Sequence, residues 1–222
     1  VTCTGVPDLV TRGQQIKVYT QLLRAAHEQR AFVVEDPFVP PEEEQPGEDD
    51  VKYQGAHVEE PKAGYYTDPI LTVDFASLYP SLMRTYNLSP DTQVQERDVP
   101  WVPCSGVQLD ETRTKYFRNR GAPGLLPRIL NTLLSQRSAV KKLMKAEPDA
   151  FRRELLNAKQ LALKISANSV YGASGATKGL LGCRAVAEAT TAAGRLTIER
   201  TKQRARRVRA IADRRLERRH WR

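Results

Sequence analysis

Asp74 follows the β-branched-rich run Ile70-Leu71-Thr72-Val73 and directly precedes Phe75-Ala76-Ser77-Leu78-Tyr79-Pro80-Ser81. A carboxylate at the end of a strand, followed at once by a turn into a helix, is placed to hold a divalent cation. The exposed N–H groups of such a turn can cradle phosphates. The same spacing also serves an ordinary turn or helix-capping aspartate. A second group centres on Lys164, the only charged residue between Gln160 and Thr177. Lys164, Asn168 and Tyr171 fall at i, i+4 and i+7, so a cation, an amide and a phenol share one stripe of a helix. That stripe suits a phosphorylated, ring-bearing ligand, although a lysine on an apolar helix can also simply snorkel its ammonium into water. Arg137 and Lys141, at i and i+4 on the preceding helix, form a third group, and such a pair is commonly a solvated face. Together the three groups set a metal-binding carboxylate opposite cations for a polyphosphate. This is the equipment of metal-assisted phosphoryl or nucleotidyl transfer.

Several elements must position these residues. Residues 13–30 carry Ile16, Tyr19, Leu22, Leu23 and Ala26 at helical spacing and predict an amphipathic helix. Between Glu35 and Asp50 lie eight acids, no bases and four prolines, which predicts a solvated loop. The 70–73 run predicts a strand buried on both faces, ending on Asp74. Residues 127–145 have apolar side chains at helical intervals, with Pro127 where a first turn tolerates it. Glu147-Pro148-Asp149 breaks that helix, and a second runs from about 150 to 170, so the pair predicts an antiparallel hairpin. Gly172, Gly175, Gly179 and Gly182 mark a turn-rich exit, and a third helix is expected near 184–204.

The 222 residues are 40% hydrophobic and 27% charged, which excludes a wholly disordered chain. No apolar run approaches a bilayer span, and the start lacks a signal pattern. Three cysteines (Cys3, Cys104, Cys183) with no C-x-x-C pair argue against a disulfide framework or a zinc site and for a reducing compartment. Val1, not methionine, opens the sequence, as in a processed chain or a piece of a longer one. The net charge of +9 is uneven: residues 195–222 hold 12 Lys+Arg against 3 Asp+Glu, which leaves residues 1–194 with no net charge. The basic character therefore belongs to the tail, and nucleic-acid binding by the body must be argued from local residues.

DFASLYPS at 74–81 resembles motif A of family B DNA polymerases, and KISANSVYG at 164–172 resembles their motif B. RGQQIKVYTQLLR at 12–24, YQGAHVEEPKAGYY at 53–66 and GLLPRIL at 124–130 are similar to the flanking segments of eukaryotic replicative enzymes of the delta type and of related large nuclear DNA viruses. The resemblance runs, with gaps, from about residue 1 to 204. It implies an α+β fold: a partial palm, with an antiparallel sheet and helices, plus an antiparallel two-helix fingers hairpin. Residues 1–60 would be an N-terminal helix and acidic loop leading into the palm, 61–126 palm with motif A, and 127–172 the fingers with motif B. Residues 173–204 would return to the palm, and 205–222 would be an atypical basic tail.

The resemblance also implies roles in template-directed DNA synthesis. Asp74 would ligate both magnesium ions of a two-metal site, with the Phe75 carbonyl completing the coordination. The backbone of Ser77, Leu78 and Tyr79 would hold the triphosphate, and the Tyr79 ring would lie beneath the sugar as a gate against a 2′-hydroxyl. Arg137, Lys141 and Lys164 would contact the incoming triphosphate and Asn168 would share those contacts. Tyr171 would lie under the nascent base pair, and Gly172 would let the backbone approach the template base. Primer-template DNA, deoxynucleoside triphosphates, replicative accessory subunits and a sliding clamp are the implied partners, without a membrane. The implied location is the nucleus, or the host nucleus for a viral source.

The family also uses a second metal-binding turn, usually YGDTDS, which this sequence lacks; after Gly194-Arg195 it becomes arginine-dense. The isolated chain is therefore expected to be inactive. The alternative is a non-catalytic polymerase relic that holds nucleic acid through its basic tail.

Overall fold

A computed structural model describes residues 4–30, 55–67, 70, 72–175 and 182–217, with side chains described as far as 208. Its elements run α1 (Val6–Thr11), α2 (Gln14–Glu28), α3 (Leu78–Thr85), β1 (Gln93–Val94), β2 (Cys104–Gln108), β3 (Thr114–Arg118), α4 (Leu125–Ala146), α5 (Ala150–Ser174) and α6 (Arg184–Glu217). The α+β expectation holds, with an antiparallel sheet beside a long helical hairpin.

The hairpin follows from its sequence. α4 buries Leu126, Ile129, Leu130, Leu133 and Val140, and α5 buries Leu163, Ala167, Val170 and Ala173. These are stripes at the helical period, which lock the two helices face to face. Asp149 ends the turn between them and caps α5 by accepting a hydrogen bond from the Phe151 N–H at 3.1 Å. Arg137 bonds Gln160 across the pair, and the two residues are nearly equidistant from the turn, as an antiparallel hairpin requires.

The other end of α4 is fixed by the loop after α3. The Gly124 N–H donates to Asn87 Oδ1 at 2.9 Å, the Leu125 N–H to the Asp91 carboxylate at 3.2 and 3.3 Å, and the Leu126 N–H to Ser89 Oγ at 3.3 Å. These bonds satisfy N–H groups that a helix start leaves free. The approach is close. A Cβ on Gly124 would stand 2.6 Å from Thr92 Cγ2 and 2.8 Å from Ser89 Cβ, so only glycine lets α4 start this close to the loop after α3.

The sheet order is β1-β3-β2, antiparallel throughout, with Phe117 paired to Gln93 on one side and Ser105 on the other. Phe117 is fully buried in a core shared with Met83, Leu88, Leu130, Leu163, Val170 and Val186. Asp110 locks the β2–β3 turn. Its carboxylate accepts bonds from the N–H groups of Thr112 and Arg113 and from the Arg113 guanidinium. These bonds, the Thr112 N–H foremost, hold the carboxyl well below its ordinary value, at about 2.

Three expectations need correction. Residues 72–75 form no strand, and Ile70 and Val73 are 73% and 71% exposed. A strand buried on both faces needs neighbours to complete its ladder, and among the described residues no strand lies beside this run. The helix at 13–30 forms as expected, at Gln14–Glu28, but its buried stripe is Val18, Gln21, Leu22 and Ala26, while Leu23 is 40% exposed. The third helix does not stop near 204: α6 continues to Glu217. Its arginine- and alanine-rich sequence has no proline, and no glycine after Gly194, so nothing breaks the helix. The acidic 35–50 stretch and most of the turn-rich exit lie outside the described residues.

Candidate functional site

The turn after Asp74 is built around Ser77, which adopts the left-handed conformation (φ 53°, ψ 57°) and serves as the N-cap of α3. That conformation costs a non-glycine residue about 1–2 kcal/mol and persists only where the surroundings hold it. It swings the chain abruptly from the extended run into α3. Ser81 closes the first helical bond onto the Ser77 carbonyl at 2.9 Å, and no side chain caps the helix. The N–H groups of Leu78 and Tyr79 therefore have no intrahelical acceptor and stand at the positive end of the helix. Asp74 is exposed and does not cap α3, and Phe75 beside it is 37% exposed.

Two contacts tie this turn to the hairpin. Arg137 Nη1 donates to Ser77 Oγ at 3.3 Å, while its Nε donates to Gln160 Oε1 at 3.2 Å. Gln160 Nε2 in turn donates to Asn157 Oδ1 at 2.9 Å. The half-buried guanidinium is thereby aimed at the turn rather than left to sweep through solvent. Separately, the rings of Tyr79 and Tyr171 meet at 4.4 Å between centroids, tilted by 40°. A pair of this kind contributes about 1 kcal/mol beyond its buried area. The turn after Asp74 thus meets α4 through a charged bond, and the two motif segments, far apart in sequence, touch through the aromatic pair.

The remaining candidates stand around these contacts. Leu78 is half-buried against the core. Lys141, Lys164 and Asn168 are exposed. Like Asp74, they make no side-chain hydrogen bond or ion pair among the described residues. The Lys164–Asn168–Tyr171 stripe runs beside the buried Leu163–Ala167–Val170 stripe of α5, as its spacing predicts. Gly172 is open: among the described residues, nothing beyond its chain neighbours and its own helix backbone lies within 4 Å of where its Cβ would stand. The structure thus joins Ser77, Tyr79, Arg137 and Tyr171 directly, and leaves Asp74, Lys141, Lys164, Asn168 and Gly172 facing solvent.

The donors at the turn suit magnesium in kind, since a carboxylate and a backbone carbonyl are hard oxygens. They are a partial set. No cluster of three or more His, Cys, Asp or Glu that could hold a metal occurs among the described residues. A groove of about 620 Å³ lies between α2 and α4, lined by Gln21, Arg24, Arg128 and Gln136 among others, and includes none of the candidate residues.

Two residues escaped the sequence reading. Gln160, which holds Arg137, extends the Lys164 stripe one turn toward the N-terminus of α5, so its i−4 spacing was the available signal. Gly194, whose Cβ would come within 3.2 Å of Tyr79 Cε1, left no such signal, because its partner lies on a distant element.

Comparison with known proteins shows the family. A family model described as DNA polymerase family B matches residues 6–220. The chain is 45% identical over 207 residues to the DNA polymerase delta catalytic subunit of Drosophila melanogaster, covering 90% of this chain and 18% of that protein. It is 44% identical over 204 residues to the protein of the same name from Bos taurus, again covering 18% of it. The chain thus spans less than a fifth of the length of these relatives. Among solved structures, the family B DNA polymerase from the hyperthermophilic archaeon Pyrobaculum calidifontis matches with a TM-score of 0.66 and 34% identity, over 91% of this chain and 25% of that one.

Proposed function

Because the chain belongs to DNA polymerase family B, we propose that it forms palm and fingers of a replicative DNA polymerase and grips an incoming deoxynucleoside triphosphate between its two motifs. The observation that carries this reading is the junction of the Asp74 turn with the hairpin: Arg137 on α4 reaches Ser77 at 3.3 Å, and Tyr171 on α5 meets Tyr79. In this reading residues 61–126 are palm, 127–172 fingers and 173–204 the return to the palm.

The chemistry is transfer of a nucleotide to a primer 3′-hydroxyl: the 3′-oxygen bonds to the α-phosphorus and pyrophosphate departs. Leu78 and Tyr79 offer backbone N–H groups to the triphosphate tail. Arg137, Lys141 and Lys164 neutralise the charge that builds on the leaving phosphates, with Asn168 adding a neutral donor. Tyr79 lies beneath the sugar, Tyr171 supports the base pair, and Gly172 leaves room for the template base. Asp74 and the Phe75 carbonyl are the groups that would hold magnesium, which supplies Lewis-acid charge at the attacking and leaving oxygens. A second carboxylate turn is needed to complete that set, so the 222-residue chain alone is read as inactive. Primer-template DNA, accessory subunits, a sliding clamp and a nuclear location complete the proposal. No described helix is long and apolar enough to cross a membrane.

A second reading is favoured by α6, whose basic segment is helical to Glu217 and exposes Arg204, Arg206 and Arg207. Here the chain is a non-catalytic relic that binds nucleic acid through phosphate contacts along that helix. Calorimetric titration of dATP into a chain ending at residue 204 separates the two. The polymerase reading predicts unchanged affinity on truncation, and a loss of about tenfold or more when Arg137 and Lys164 both become alanine, since charge-assisted bonds are removed. Affinity that vanishes with the tail and ignores Arg137 and Lys164 favours the relic.

A further inference from the structure

We propose that Gly194 on α6 is a positioning residue that seats the Tyr79 ring and thereby tunes the choice between deoxy- and ribonucleoside triphosphates. The inference rests on the reading of Tyr79 as the sugar gate. Gly194 is buried in the first half of α6, in regular helix without a positive φ, so backbone conformation does not require a glycine there. A glycine inside a helix is unfavourable relative to alanine, so its presence calls for a packing reason.

The reason is the ring. A Cβ on Gly194 would stand 3.2 Å from Tyr79 Cε1 and 3.9 Å from its Cδ1, with Leu82 Cδ1 at 3.8 Å. The Cε1 distance is shorter than ordinary van der Waals contact, so the ring must give way by a few tenths of an ångström. Its freedom is limited. Tyr79 belongs to the first turn of α3, whose Leu82 and Met83 are fixed in the core, and its ring already lies against Tyr171. A half-buried ring pressed from α6 and bounded by Tyr171 is left its exposed side to yield toward, and on the gate reading that side faces the sugar. The bare glycine thus sets how far the ring projects beneath a nucleotide.

The test titrates dATP and ATP, each with magnesium, into the 222-residue chain and takes the ratio of Kd for ATP to Kd for dATP. Gly194→Ala is expected to raise that ratio about fivefold, the size of effect that a strained rotamer imposes. Tyr79→Ala should bring the ratio close to one. The double variant should match Tyr79→Ala alone, because the added methyl then has no ring to press. A purely structural role for Gly194 would weaken both ligands together and leave the ratio unmoved. An unchanged ratio in Gly194→Ala, alongside a collapsed ratio in Tyr79→Ala, overturns the positioning role while sparing the gate. An unchanged ratio in Tyr79→Ala overturns the gate, and this inference with it. Should Gly194→Ala fail to fold, recovery of folding in the double variant supports the contact with the ring, and failure of both variants contradicts it.

Discussion

A full-length family B polymerase that carries this segment loses primer extension by about 10³-fold or more when Asp74 becomes alanine, the scale on which charge stabilisation at a reacting phosphate operates. Asp74 carries that weight because of where it stands rather than what it bonds. It is exposed, caps no helix, and sits three residues before the left-handed Ser77 that turns the chain into α3. Its removal leaves no buried charge unpaired, so folding should be preserved. Steady-state extension of a primer-template by the variant, with its melting temperature measured alongside, checks both halves. Substantial extension by a folded Asp74→Ala enzyme would contradict the assignment. The longer polymerase is used because the family's second carboxylate turn, usually YGDTDS, does not occur in these 222 residues.

The second large effect concerns the sugar. Tyr79→Ala in the same enzyme should raise ribonucleotide incorporation relative to deoxyribonucleotide by about 100-fold, as expected if overlap of a 2′-hydroxyl with the ring costs about 3 kcal/mol. Tyr79→Phe keeps the ring and the contact with Tyr171, and should retain discrimination. Competition between dATP and ATP on one primer gives the ratio directly. Equal discrimination by the alanine and phenylalanine variants would remove Tyr79 from the gate. Tyr79→Ala should also lower stability, because its ring is packed against both Tyr171 and the α6 backbone at Gly194.

Particular residues explain why some of this was legible in the sequence. The hairpin was, because Leu126 through Val140 and Leu163 through Ala173 repeat at the helical period and Pro148 interrupts them. The Lys164–Asn168–Tyr171 stripe was legible for the same reason. The left-handed Ser77 was not, since serine does not advertise that conformation and only the surrounding packing imposes it. The resemblance implied an antiparallel sheet, but its individual strands left no local signal. Val94, Val107 and Phe117 are single buried residues on strands of two and five residues, too short for alternation to stand out. The strand expected at 70–73 failed for the converse reason: local preference was present, but no described strand lies alongside to accept its backbone bonds. Contacts between distant elements, such as Arg137 with Ser77 or Gly194 with Tyr79, leave no mark in any local window.

The central claim is that the Asp74 turn and the cationic hairpin hold one triphosphate between them. Amide resonance broadening in the ¹⁵N-labelled 222-residue chain, on titration with the paramagnetic complex of manganese and dATP, tests it most directly. The amides of Asp74, Phe75 and Ser77 should broaden together with those of Arg137 and Lys164, at the same nucleotide concentration. Broadening confined to residues 195–222, or to one of the two sets alone, would contradict a shared site.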